Sequence, residues 1–167
     1  MSTVTLHGDT IHTTDRTLPA PGTKAAAFTL VKSDLSEISL ADLAGKKVLL
    51  NIFPSLDTPV CATSIRRFNQ EAASVANTAI LCISMDLPFA GARFCTTEGI
   101  EKVHTASAFR SPEFGEDYGV LLVDGPLRGL FARAVLILDE TGTVTYAELV
   151  PEITQEPDYE AALKALK

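Results

Sequence analysis

Three cysteines, at positions 61, 82 and 95, are the side chains of this 167-residue chain best suited to covalent chemistry. A cysteine acts as a nucleophile only as its thiolate, so its surroundings decide what each can do. In Thr58-Pro59-Val60-Cys61, proline is favoured at the first helical position and threonine at the cap before it, which puts Cys61 third in a helix. There the first-turn amides lack intrahelical acceptors, and together with the positive end of the helix dipole they favour a thiolate. The Thr58 hydroxyl is in the same turn, within reach of a backbone amide or of a substrate oxygen beside the sulfur. The alternative is a small apolar residue on a buried helix face. The position of Cys61 just past the carboxyl end of an apolar strand, where α/β proteins collect their sites, favours the chemical reading.

The other two cysteines differ. Cys82 lies among Ile80, Leu81 and Ile83 with no charge nearby, the setting of a buried, inert thiol. Cys95 follows Ala92-Arg93-Phe94 and precedes Thr96-Thr97-Glu98-Gly99, which suits a partly exposed, mobile thiol near the end of a short helix. To bond to Cys61, its Cα must come within about 7 Å. Arg133 sits at the start of the apolar run 134–138, where an arginine is costly unless its charge is paired, so it is a candidate to stabilise a thiolate; a surface ion pair is the alternative. Arg66 and Arg67 fall on the polar side of the Cys61 helix and read as solvated surface. His7, His12 and His104 have no zinc-like spacing with the cysteines, and no C-x-x-C is present. The loop Asp124-Gly125-Pro126-Leu127-Arg128-Gly129 matches neither a phosphate loop nor a dinucleotide fingerprint. No metal or cofactor is expected.

The elements that must hold these residues follow from periodicity. Residues 48–53 form a nearly continuous apolar run, as in a parallel strand covered on both faces. A helix from Pro59 places Cys61, Ile65, Phe68, Ala72 and Val75 on one face, with Asn77 as its stop. Residues 79–84 make a second buried strand, completing a βαβ unit. Residues 88–95 suit a short helix ended by Thr96-Thr97 and Gly99, and 103–106 a brief strand. Residues 134–138 and 143–148 enclose a turn at 139–142 as an antiparallel hairpin, and a last helix spans about 158–166. At the start, residues 3–7 and 11–14 flank Gly8-Asp9-Thr10 as a small hairpin. Residues 28–31 are a short strand, and 39–44 a helical turn. This succession resembles a thioredoxin-like α/β fold: a central mixed β-sheet flanked by helices, with an added N-terminal β-hairpin.

Length and composition agree with one domain over residues 1–167: 46% hydrophobic and 21% charged residues are globular values, and a core of this size needs no staples. An odd number of cysteines is no disulfide scaffold. The net charge of -7 opposes the phosphate attraction on which nucleic-acid binding depends. The apolar runs fall far short of the roughly 18 residues of a membrane span. The first residues show neither a basic region nor a long apolar stretch, so no secretory signal is expected.

The stretch Asn51-Ile52-Phe53-Pro54-Ser55-Leu56-Asp57-Thr58-Pro59-Val60-Cys61, with Arg93-Phe94-Cys95 and Ala132-Arg133-Ala134, closely resembles the bacterial thiol peroxidases, a subfamily of atypical two-cysteine peroxiredoxins. The likeness extends through Phe68-Asn69-Gln70, Asp86-Leu87-Pro88-Phe89-Ala90, Asp124-Gly125-Pro126-Leu127 and the segment from Pro157 to Leu163. It implies that Cys61 attacks a hydroperoxide and becomes a sulfenic acid. Cys95 then resolves it as an intrachain disulfide, which thioredoxin reduces. It also implies that Thr58 and Arg133 orient the peroxide, that Pro54 shields the pocket, and that the enzyme is a cytoplasmic homodimer favouring alkyl hydroperoxides. Two other readings use the same cysteines. A thioredoxin-like disulfide reductase is weakened by the missing C-x-x-C. A peroxide-responsive redox sensor or interaction module would oxidise once and change partners, whereas an enzyme turns over.

Overall fold

The computed structural model describes residues 1–71 and 74–167. It opens on a hairpin of β1 (Thr3–Leu6) and β2 (Asp9–His12), whose turn is tighter than expected. Asp9 and Thr10 are not turn residues: they pair with Leu6 and Thr5. The turn is the two-residue His7-Gly8, with φ of 52° and 87°. Two successive positive φ angles give the turn whose twist matches its flanking strands, and glycine and histidine tolerate them.

Next come β3 (Thr29–Lys32), β4 (Glu37–Ser39), a 3₁₀ turn at Ala41–Leu43 and β5 (Lys47–Ile52). Helix α1 (Pro59–Glu71) leads to β6 (Thr78–Ser84), α2 (Pro88–Glu98) to β7 (His104–Ser107), and α3 (Glu113–Asp117) precedes the hairpin of β8 (Ala134–Leu138) and β9 (Val144–Leu149). Helix α4 (Tyr159–Leu166) follows, capped by the Asp158 carboxylate, which accepts the Ala161 N–H at 3.0 Å. Seven strands form one mixed sheet in the order β4-β3-β7-β6-β5-β8-β9, with β5, β6 and β7 parallel and the outer pairings antiparallel.

The strand period of two divides the core. Val48, Leu50 and Ile52 point to the face covered by Phe114 of α3 and by Phe28, Tyr118 and Phe131. Leu49 and Phe53 point to the other, with Ile65 and Phe68 of α1, Phe94 of α2 and Leu163 of α4. Each such aliphatic or aromatic side chain stabilises the fold by about 1.5–3 kcal/mol on burial. A smaller cluster of Val4, Ile11, Leu122, Ala132 and Ile153 seats the N-terminal hairpin on the body. Ala72, expected on the buried face of α1, lies outside the described residues.

Two short elements, β4 and α3, were not anticipated, and α2 runs longer than its sequence suggests. Thr96 and Thr97 stay helical; the helix stops only at Gly99, whose φ of 65° and N–H bond to the Cys95 carbonyl close it. Cys95 therefore lies in the last turn of the helix. Among the described residues no helix is long and apolar enough to cross a membrane.

Candidate active site

The carboxyl end of β5 delivers the chain into a buried turn. The Phe53 N–H bonds to the Ile83 carbonyl at 3.1 Å, Pro54 is buried, and the Ser55 carbonyl accepts both the Thr58 N–H at 3.2 Å and the Thr58 hydroxyl at 2.9 Å. Pro59 then opens α1, where its missing N–H is no loss, and the Ala62 N–H makes the first helical bond, to the Thr58 carbonyl at 3.1 Å. Cys61 falls third in the helix and is fully buried.

Two donors meet its sulfur. Thr58 Oγ1 lies 2.6 Å from Cys61 Sγ, and Arg133 Nη2 lies 3.3 Å away. The threonine hydroxyl has one proton and two neighbours that accept. With a thiol, Cys61 donates to Thr58 and Thr58 donates to the Ser55 carbonyl; with a thiolate, the hydroxyl turns its proton to the sulfur. Of the two roles read for Thr58, the amide cap is not found among the described residues; the hydroxyl bonds to the Ser55 carbonyl and the Cys61 sulfur.

Arg133 is not the surface ion pair that its sequence also allowed: it is 2% exposed. It stands immediately before β8, its Nε donates to the Ile153 carbonyl at 2.9 Å, and Nη1 has no hydrogen-bond partner among the described residues. Among the described residues no carboxylate pairs with it. A buried guanidinium without a counter-charge is costly, and the group beside it able to carry negative charge is the Cys61 sulfur.

Thr58 and Arg133 border a cavity of about 410 Å³ lined also by Pro54, Val60, Leu127, Leu130 and Ile153, with Leu6 and His7 of the hairpin at its side. The lining suits a small polar head at Thr58 and Arg133 with an apolar tail outward. The hairpin wall is held by Glu152: His7 and Gly8 donate their N–H groups to its carboxylate at 2.8 and 3.2 Å, and the Thr5 hydroxyl donates to it as well. The Thr154 hydroxyl donates to the same carboxylate at 2.8 Å, and these bonds, those from the Thr5 and Thr154 hydroxyls foremost, hold the Glu152 carboxyl down at about 2.

Cys61, Thr58, Arg133 and Pro54 are thus brought together; Cys95 is not. It is half-buried in α2, its sulfur 3.8 Å from Thr105 Oγ1, and burial pushes its thiol up. All three cysteines are free. Cys82 is 1% exposed, with Asn51 Nδ2 at 3.8 Å, and burial pushes its thiol up to about 12. In the folded, reduced protein at mildly alkaline pH, iodoacetamide is expected to leave Cys82 unlabelled until denaturant is added, as peptide mass spectrometry would read; labelling of the native thiol would contradict its burial. Among the described residues no cluster of three or more His, Cys, Asp or Glu side chains is arranged for a metal ion.

Arg66 and Arg67, read as solvated, do form pairs. Arg66 joins Glu98 of α2 at 2.7 Å, and Arg67 joins Glu71 at 3.2 Å and lies over the Tyr159 ring. Such exposed pairs contribute little each. Sequence reasoning assigned no role to Asn51, Ser64, Asp86 or the Ile153 carbonyl. Asn51 Nδ2 donates to Ser64 Oγ at 3.1 Å, and Ser64 Oγ donates to the Cys61 carbonyl at 2.8 Å. An asparagine within an apolar strand was the visible signal, because a polar side chain buried there needs a partner.

The Redoxin family model matches residues 20–163. Thiol peroxidases of Mycobacterium tuberculosis and Mycobacterium bovis are each 58% identical over 166 residues, covering 99% of this chain and 99% of theirs. A peroxiredoxin-like protein from Aquifex aeolicus superposes with a TM-score of 0.93 at 38% identity, over 98% of this chain and 95% of its own. A thiol peroxidase from Chromobacterium violaceum, 22% identical over 98% of this chain and 94% of its own, shares the fold with a TM-score of 0.90.

Proposed function

Because the chain belongs to the Redoxin family and is a peroxiredoxin-type enzyme, a thiol peroxidase, we propose that it reduces hydrogen peroxide and, preferentially, alkyl hydroperoxides through Cys61, Cys95 and thioredoxin. The observation that carries the reading is the buried Arg133, 3.3 Å from Cys61 Sγ at the edge of an apolar cavity and paired with no carboxylate among the described residues. The Cys61 thiolate attacks the terminal peroxide oxygen; the S–O bond forms as the O–O bond breaks, and the departing alkoxide leaves as alcohol after taking a proton. Arg133 and Thr58 donate to the oxygens on which charge develops, and such preorganised donors lower a barrier by a few kcal/mol. Pro54 keeps water from the buried sulfur. The Cys95 thiol then condenses with the sulfenic acid, releasing water and leaving a disulfide, which a thioredoxin dithiol reduces by exchange.

The cavity lining supports the alkyl preference, since an apolar tail gains by leaving water there. Family likeness supports the cytoplasmic homodimer and the thioredoxin partner. Sustained peroxide consumption with thioredoxin and its reductase separates the enzyme from a sensor that oxidises once; consumption of a single equivalent would favour the sensor. Replacing Cys95 by serine is expected to abolish the intrachain disulfide and leave a sulfenic acid at Cys61 that dimedone traps, read as a mass increment on the Cys61 peptide. An intact disulfide pattern in that variant would remove Cys95 from the mechanism.

A further inference from the structure

Both cysteine-bearing helices begin next to one carboxylate, that of Asp86, which follows β6 and precedes α2. Asp86 Oδ1 accepts the Ser55 hydroxyl at 2.9 Å, and Oδ2 accepts the Leu56 N–H at 2.8 Å and the Ser84 hydroxyl at 2.7 Å. Its own carbonyl accepts the Ser107 hydroxyl at the end of β7. Asp86 is thus fixed to the ends of two sheet strands, by its carboxylate to Ser84 and by its backbone carbonyl to Ser107, and from there its carboxylate grips Ser55 and Leu56 of the turn before α1. The Ser55 carbonyl in turn accepts the hydroxyl of Thr58, which lies against Cys61. Bonds to a charged acceptor are stronger than neutral ones, and three converge on this group.

We infer that Asp86 is a positioning residue that latches the 55–58 turn in the arrangement that reacts with peroxide and must release it for the disulfide to form; the inference rests on the proposed Cys61–Cys95 bond. Cys61 is fully buried against Thr58 and Arg133 while Cys95 sits in another helix beside Thr105, and in this proposal it is the start of α1 that leaves its place for the bond to form. The latch favours the first chemical step and opposes the second. Its loss therefore moves the two rates in opposite directions, which a merely structural lesion would not do.

The chain has no tryptophan, so the steps are followed by rapid acid quench, alkylation and mass spectrometry of the Cys61 and Cys95 peptides. In Asp86→Asn one acceptor oxygen becomes a donor facing donors. Oxidation of Cys61 by hydroperoxide is expected to slow about tenfold, the scale of one charge-assisted hydrogen bond, while the sulfenic acid closes to the disulfide severalfold faster. Overoxidation at a given peroxide excess falls with it. Ser55→Ala, which removes one of the three donors and leaves the carboxylate in place, is expected to give smaller changes of the same signs, and it carries the test if Asp86→Asn folds poorly. Rates that are unchanged, or that fall together, in the folded variants would overturn the latch. Failure of the wild type to form any Cys61–Cys95 bond would instead overturn the functional reading on which the latch rests.

Discussion

Replacing Cys61 by serine is expected to reduce peroxide consumption to the background rate of the buffer, a loss of at least about 10⁴-fold on the scale of nucleophile deletions. A serine hydroxyl is far less acidic than a thiol and its oxygen cannot accept oxygen from a peroxide, so both the nucleophile and the sulfenic intermediate disappear. The fold should persist. Cys61 is fully buried, and serine is nearly isosteric, with Thr58 Oγ1 placed to share its proton. Circular dichroism and a melting curve beside the thioredoxin-coupled assay separate loss of chemistry from loss of structure. A folded variant that still turned over would place the nucleophile elsewhere.

The second large effect is expected at the donors. Arg133→Ala should slow oxidation of Cys61 by about 10²–10³-fold, the usual cost of removing one preorganised donor from a developing oxyanion. Its effect on stability should be smaller, because truncation also removes a buried charge that no carboxylate among the described residues balances. Arg133→Lys keeps a positive charge but gives up the fork that lets Nε hold the Ile153 carbonyl while Nη2 faces the sulfur, and it should recover only part of the rate. Thr58→Val should slow the same step, whereas Thr58→Ser keeps the hydroxyl and should be milder. The measurement is the rapid-quench rate of Cys61 oxidation at fixed pH. An unchanged rate in Arg133→Ala would leave the guanidinium as a structural support of the 151–154 segment.

What the sequence made legible was whatever local periodicity or a local rule could specify. The apolar run before Pro54 and the second apolar strand gave β5 and β6 to within a residue, and Pro59 gave the start of α1, whereas Val75, expected on its buried face, is not helical. Thr58 and Pro59 located the helix start, and so the position of Cys61. The arginine before an apolar strand marked itself by its expected cost. Three-residue β4 and five-residue α3 are too short for a period to register. The hairpin turn depended on histidine accepting a positive φ, and the end of α2 on which of several polar residues supplied the cap. The partners of the site were hidden for another reason. The Ile153 carbonyl is backbone, common to every residue, and the Asp86 grip on Ser55 and Leu56 joins segments 30 and 31 positions apart in the chain. Only the fold brings them together.

The reading of Cys95 as a partly exposed thiol near the end of a short helix agrees with its place in the last turn of α2, half-buried and beside Thr105. Its part in the chemistry depends on motion away from that position, which leaves no mark on local spacing.

The most direct test is the fate of the three thiols in one turnover. Reduced protein is mixed with one equivalent of an alkyl hydroperoxide, quenched in acid, alkylated, digested and mapped by mass spectrometry. The expected product is a single intrachain disulfide between Cys61 and Cys95, with Cys82 recovered as its alkylated thiol. A bridge from Cys61 to Cys82, or a Cys61 that remains alkylatable after the hydroperoxide is consumed, would contradict the mechanism.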